Sequence, residues 1–104
     1  MSTSCIIALV EGTNSILLEK THDGFEETVK FLINTAVANE DLDAENIANY
    51  LVKNTDVRLS LYVHKFPNHM AIFDIIDSNF QWIKVDPSLR KIKDFKKYLE
   101  IDDD

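Results

Sequence analysis

A chain of 104 residues with 45% apolar and 28% charged side chains, two glycines and two prolines has the size and balance of one folded domain, which excludes a disordered or linker-rich protein. Its net charge of −7 gives it no general attraction for nucleic-acid phosphates, so direct DNA or RNA binding is disfavoured. The only cysteine, Cys5, excludes an intrachain disulfide and favours a reducing compartment, and no run approaches the ~20 apolar residues of a membrane span.

Residues Cys5 to Val10 are continuously apolar over a strand's length, as expected of a strand covered on both faces. Within that run Cys5 reads as a small buried hydrophobe, since no partner base adjoins it. The run is too short for the apolar region of a signal peptide and has no positive residue before it, so a cytoplasmic protein without a membrane partner is expected. Gly12-Thr13-Asn14-Ser15 supplies turn residues, and Ile16-Leu17-Leu18 completes a β-hairpin.

Thr21-His22-Asp23-Gly24 stops the second strand. Asp23 with Glu26 three residues later resembles a capping box, and Phe25, Val29, Leu32, Ile33 and Ala36 share one helical face. Glu26 and Glu27 suit the positive end of that helix. A second helix is predicted from Asp43 as N-cap, with Leu42 and Ile47 as a hydrophobic staple, Ala44, Ile47, Ala48 and Leu51 as the apolar stripe, and Asn54 just past its end.

The period then changes. Val57, Leu59, Leu61 and Val63 alternate with Arg58, Ser60, Tyr62 and His64, the pattern of a half-buried strand. Met70–Ile76 and Phe80–Val85 read as two more strands, and the short connections predict a three-stranded antiparallel meander. Asp86-Pro87 opens a final helix with Leu89, Ile92, Phe95 and Leu99 as its apolar seam. The order ββ-αα-βββ-α defines an α+β fold: a two-layer sandwich with a mainly antiparallel sheet of about five strands and three helices, forming one domain over 1–104 with a frayed acidic tail at 101–104.

Charge is unevenly placed. Residues 1–52 hold Lys20 and Lys30 against nine acids, whereas residues 53–104 hold nine basic and nine acidic side chains. Arg90, Lys91, Lys93, Lys96 and Lys97 form a basic stripe on the last helix, suited to an acidic partner or to solvation and the helix dipole. The acids Glu26, Glu27, Asp41 and Asp43 offer a complementary surface, so the acidic half of one copy could meet the basic helix of another. A homo-oligomer such as a dimer is one expectation. Tyr62 and His64 beside Phe80 or Trp82 would make an aromatic contact surface of the kind protein interfaces favour, with core packing as the alternative for Phe80 and Trp82.

Motifs for catalysis are scarce. Two glycines cannot build a phosphate-binding loop or a dinucleotide fingerprint, and no nucleophile elbow is present. His22, His64 and His69 would form a metal site only if the fold brought them together, because their spacing matches no familiar signature. The composition therefore favours a small acidic, non-catalytic protein-binding or regulatory protein without a cofactor. One form of it is an inhibitor or nucleic-acid mimic of the type mobile elements encode, with the acids from Glu19 to Glu45 as the mimic surface. The alternatives are a small metal- or ligand-binding enzyme using His22, Asp23, His64 and His69, and a minor subunit of a larger assembly.

Overall fold

The computed structural model describes residues 3–99, so the predicted acidic tail at 101–104 lies outside the described residues. The sheet is built around β1, Cys5–Glu11. An extended apolar run has two faces to bury, and β1 buries both: Cys5, Ile7 and Leu9 enter one core cluster, and Ile6 and Ala8 the other. The hairpin partner β2, Asn14–Lys20, pairs antiparallel with β1 through a two-residue loop in which Gly12 takes φ 65, a conformation that favours glycine.

Helices α1 (Glu26–Asn39) and α2 (Ala44–Asn54) follow. Their stripes, Val29, Ile33 and Ala36 with Ala44, Ile47, Ala48 and Leu51, pack against the Cys5–Ile7–Leu9 face. The start of α2 is as predicted: Asp43 is the N-cap, and its Oδ1 accepts the Asn46 N–H at 2.8 Å. Four other local expectations need correction. Asp23 does not cap α1; it sits at φ 52, and the N-cap is Phe25, which makes no side-chain cap bond and stays exposed. Leu42, predicted to staple onto Ile47, is 46% exposed and is not among the side chains packed on the core that holds Ile47. At the end of α2 the capping residue is Thr55, whose N–H and hydroxyl both donate to the Leu51 carbonyl, with Asn54 still helical. Asp86 closes a turn by accepting the N–H and hydroxyl of Ser88, so the last helix begins later than predicted.

Strand β3 is only Val57–Arg58, and it pairs with Lys20 and Glu19 of β2. Strand β4, His69–Asp74, lies parallel to β1, and β5, Asn79–Lys84, pairs antiparallel with β4. The five-stranded sheet has the order β3-β2-β1-β4-β5. The predicted meander is therefore incorrect: β3 and β4 stand at opposite sides of the β1–β2 hairpin. The segment after Arg58 leaves the sheet, and Leu59 and Leu61 are exposed rather than half-buried.

Two layers, the sheet and the pair of α-helices, make the main sandwich. A 3-10 helix at Ile92–Leu99 lies over the other sheet face, where Ile92 and Phe95 pack with Ile6, Ala8, Leu17 and Met70. Its period of three brings Ile92, Phe95 and Tyr98 to one side and Lys93 and Lys96 to another.

The 23–24 turn is fixed by contact as well as by conformation. Gly24 donates its N–H to the Thr3 carbonyl at 2.8 Å, and a Cβ at Gly24 would meet the Ser4 backbone carbonyl carbon at 2.7 Å. Backbone cannot yield as a flexible side chain can. Gly24→Ala should therefore cost about 1–3 kcal/mol, as for overpacking elsewhere, read as a lower denaturant midpoint; an unchanged midpoint would show that the turn and β1 are not held together.

Candidate functional site

The feature with the clearest capacity to bind something is a groove beside β2. β3 covers β2 only at Glu19 and Lys20, so among the described residues Asn14–Leu18 have no strand partner on that side. This unpaired edge forms the floor of a cavity of about 790 Å³. Glu45, Ala48, Asn49 and Val52 of α2 form one wall. Leu59, Ser60, Leu61 and Tyr62, with Lys91, Ile92, Lys93 and Lys96, form the other. Leu61 is 80% exposed and Leu59 72%, and Val52 and Tyr62 are also exposed. Large apolar side chains gathered beside unpaired backbone are unusual on a surface that meets only water.

The segment that forms the wall opposite α2 is anchored to the end of β2 by a polar tie. Glu19 is 0% exposed, and its Oε2 accepts the His64 N–H at 2.7 Å while Oε1 lies 2.7 Å from His64 Nδ1. Backbone bonds from Val63 N–H to Arg90 O and from Ile92 N–H to Leu61 O then join this segment to the chain before the 3-10 helix.

Of the residues singled out from sequence, Tyr62, Lys91, Lys93 and Lys96 come together on this wall. Arg90 and Lys97 do not. Arg90 folds back onto the carbonyls of Pro87 and Ser88 and over the Phe66 ring at 4.1 Å, and Lys97 lies over Tyr98. Glu26 and Glu27 are exposed in the first turn of α1, Asp41 is exposed before α2, and Asp43 is engaged as a cap. The mimic surface expected from Glu19 to Glu45 loses Glu19 to the interior. The aromatic surface is not formed: Phe80 and Trp82 on β5 pack toward the helices, across the sheet from Tyr62 at the β2 edge.

The histidines go to separate partners. His22 Nδ1 lies 3.0 Å from Thr21 Oγ1 and 3.6 Å from Asp56 Oδ2, His64 engages Glu19, and His69 stacks on Trp82 with ring centroids 5.2 Å apart. Among the described residues no three His, Cys, Asp or Glu side chains are grouped so as to hold a metal ion. Asp23 is exposed on its turn. Cys5 is buried, and burial pushes its thiol up to about 12, which leaves it protonated and unreactive near neutrality.

Sequence reasoning missed Leu59, Leu61 and Val52 as groove residues. The alternation over 57–63 was the available signal, but it also describes a strand that buries them. No helix among the described residues is long and apolar enough to cross a membrane. The fold and groove define an α+β domain with an open sheet edge, and beyond that class comparison with protein families, curated proteins and solved structures finds no match for the chain.

A second polar tie flanks the groove. The Lys20 side chain is 6% exposed, and its Nζ lies 2.5 Å from Asp56 Oδ1. Partial burial raises the Asp56 carboxyl, but the hydrogen bond and charge of Lys20 outweigh it and hold the group below its usual 3.8. A depressed carboxylate stabilises the fold at pH above the unfolded value, and this contribution fades as pH falls through the lower folded value. Asp56→Ala should cost about 1–3 kcal/mol by leaving a buried cation unpaired, with Asp56 partly exposed and the loss moderated accordingly. Adding Lys20→Met should recover most of it, and both variants should lose part of the acid-limb dependence in denaturant midpoints. Failure of the double variant to recover would show that Lys20 does more than answer Asp56.

Proposed function

We propose that this is a non-catalytic protein-binding or regulatory protein that docks partners in the groove beside β2. The observation that carries the reading is the conjunction on one surface of an unpaired strand edge with exposed apolar walls. Unpaired strand edges are a liability that proteins cover, twist or charge unless another chain uses them. Here the floor is left open and the walls present Leu61, Leu59, Tyr62 and Val52, residue types that contribute contact area on binding.

The separation of His22, His64 and His69 gives the alternative, a metal- or ligand-binding enzyme, no assembled set of groups to work with. The lone buried cysteine supports action in a reducing compartment such as the cytoplasm. A nucleic-acid mimic is less well supported than general protein binding, because Glu19 is internal, Asp43 caps α2, and the Glu11 side chain accepts the Ala44 N–H.

Leu61→Asp and Val52→Asp test the reading, since both positions are exposed and neither change should alter the melting temperature by more than a degree or two. Wild-type protein should retain a stoichiometric partner from native lysate, and the identified partner, once purified, should bind each variant at least tenfold more weakly. A partner that binds the variants as well as wild type would remove the groove from the account.

A further inference from the structure

The groove occupies the place that a longer β3 would have filled. Arg58 stands opposite Glu19, and continuing that antiparallel register would lay residues 59–63 along Leu18–Asn14. The chain leaves the sheet at Leu59 instead, so about five residues of β2 edge, ~17 Å, are vacant. The floor therefore has the shape of a strand.

The two walls differ in chemistry, and the sheet pleat assigns each to alternate positions of whatever fills the gap. Ile16 and Leu18 of β2 belong with the helix-side core, and Leu17 with the opposite core. An added strand would point every second side chain toward Ala48 and Val52 of α2, and the others toward the opposite wall, where the lysines Lys91, Lys93 and Lys96 stand beside Leu59, Leu61 and Tyr62. Against those three cations the groove lining holds one carboxylate, Glu45, on the other wall. A positive wall on a chain of net charge −7 is a local reversal of sign, which selects an acidic occupant and repels copies of the basic surface itself.

Resting on the reading of the groove as a docking surface, we propose that its occupant is an extended acidic segment of another protein, in which apolar residues alternate with Asp or Glu, added to the sheet as a strand on the β2 edge. Backbone bonds to β2 supply affinity that is independent of sequence, apolar side chains fill the α2 side, and carboxylates meet Lys91, Lys93 and Lys96.

Selection from a library of random decapeptides against the intact protein tests this directly. Enriched peptides should alternate apolar with acidic residues, lose binding when proline replaces a central residue, and weaken as salt rises. The triple variant Lys91→Glu, Lys93→Glu, Lys96→Glu, exposed at every position, should bind them about tenfold more weakly and should itself enrich basic peptides. Peptides that depend on Leu61 but show no acidic preference, or that tolerate central proline, would overturn the proposed occupant while leaving the groove as a docking surface. Recovery of no Leu61-dependent peptide would overturn both. A dimer that forms without peptide and is broken by Leu61→Asp would assign the groove to a second copy and overturn the peptide.

Discussion

The open edge of β2 depends on one buried carboxylate. Glu19 points into the core side of the sheet opposite the α-helices and takes both the backbone N–H and the ring nitrogen of His64. If β3 continued in its register, His64 would stand opposite Thr13, six residues and ~20 Å along the strand from Glu19. The two arrangements exclude each other. A carboxylate without solvent is costly unless its hydrogen bonds are made, and a longer β3 would strip Glu19 of both. The additional ladder bonds such a strand could gain are individually worth about 1 kcal/mol. Unsatisfied burial of Glu19, about 3–5 kcal/mol, is of the same size as the several ladder bonds together, so the alternating pattern alone does not decide that this segment joins the sheet.

The charged side chains are used in different ways. Five of the eighteen carboxylate side chains are engaged internally or on backbone: Glu19 on His64, Glu11 on the start of α2, Asp43 on its cap, Asp56 on Lys20, and Asp74 on the amides of the β4–β5 turn. The net negative charge therefore does not describe the groove, where cations outnumber carboxylates. The basic residues are spent differently. Arg90 and Lys97 lie against aromatic rings, whereas Lys91, Lys93 and Lys96 border the groove. The charge lining the groove is therefore opposite in sign to the molecule's total.

The elements legible in the sequence were those whose patterns are determined within a single segment. β1 and β2 follow from an uninterrupted apolar run and a Gly-containing turn, and α2 from a stripe with an N-cap beside it. Some errors were local, with Thr55 rather than Asn54 capping α2 and Asp86 closing a turn with Ser88, but the larger ones arose where a distant residue decided the outcome. Val57–Val63 alternates as a strand should, but the next residue, His64, is tied to Glu19. Asp23 has the spacing of a capping box, but it takes a positive φ in the turn where Gly24 lies close to Ser4, and it does not cap the helix. The groove was illegible for the same reason, since its floor, walls and charges come from four separated segments. Tyr62 and three of the five basic residues were identifiable as surface groups, but only the fold places them on one side of a vacant strand.

The 3-10 geometry of the last helix matters to that placement. In an α-helix the seam Ile92, Phe95, Leu99 would rotate by about 100° per residue, and Lys93, Lys96 and Lys97 would spread across a broad solvated face. With three residues per turn, Ile92, Phe95 and Tyr98 stack in one row beneath the sheet, and Lys93 and Lys96 fall in register on the next. A run of eight residues in this conformation is long for a geometry with poorer hydrogen bonds, so packing must compensate. Phe95, with no exposed surface, and the Tyr98 hydroxyl accepting the Asp86 N–H are the contacts that do so. They fix the row of lysines along the groove at the repeat of the helix, ~6 Å for three residues, close to the ~6.6 Å between alternate residues of a strand. Two cations at that spacing can meet two carboxylates on one face of an extended chain, but same-face residues of an α-helix are also about 6 Å apart, so what favours an extended acidic segment is the strand-shaped gap along β2, whose backbone only an extended chain can pair.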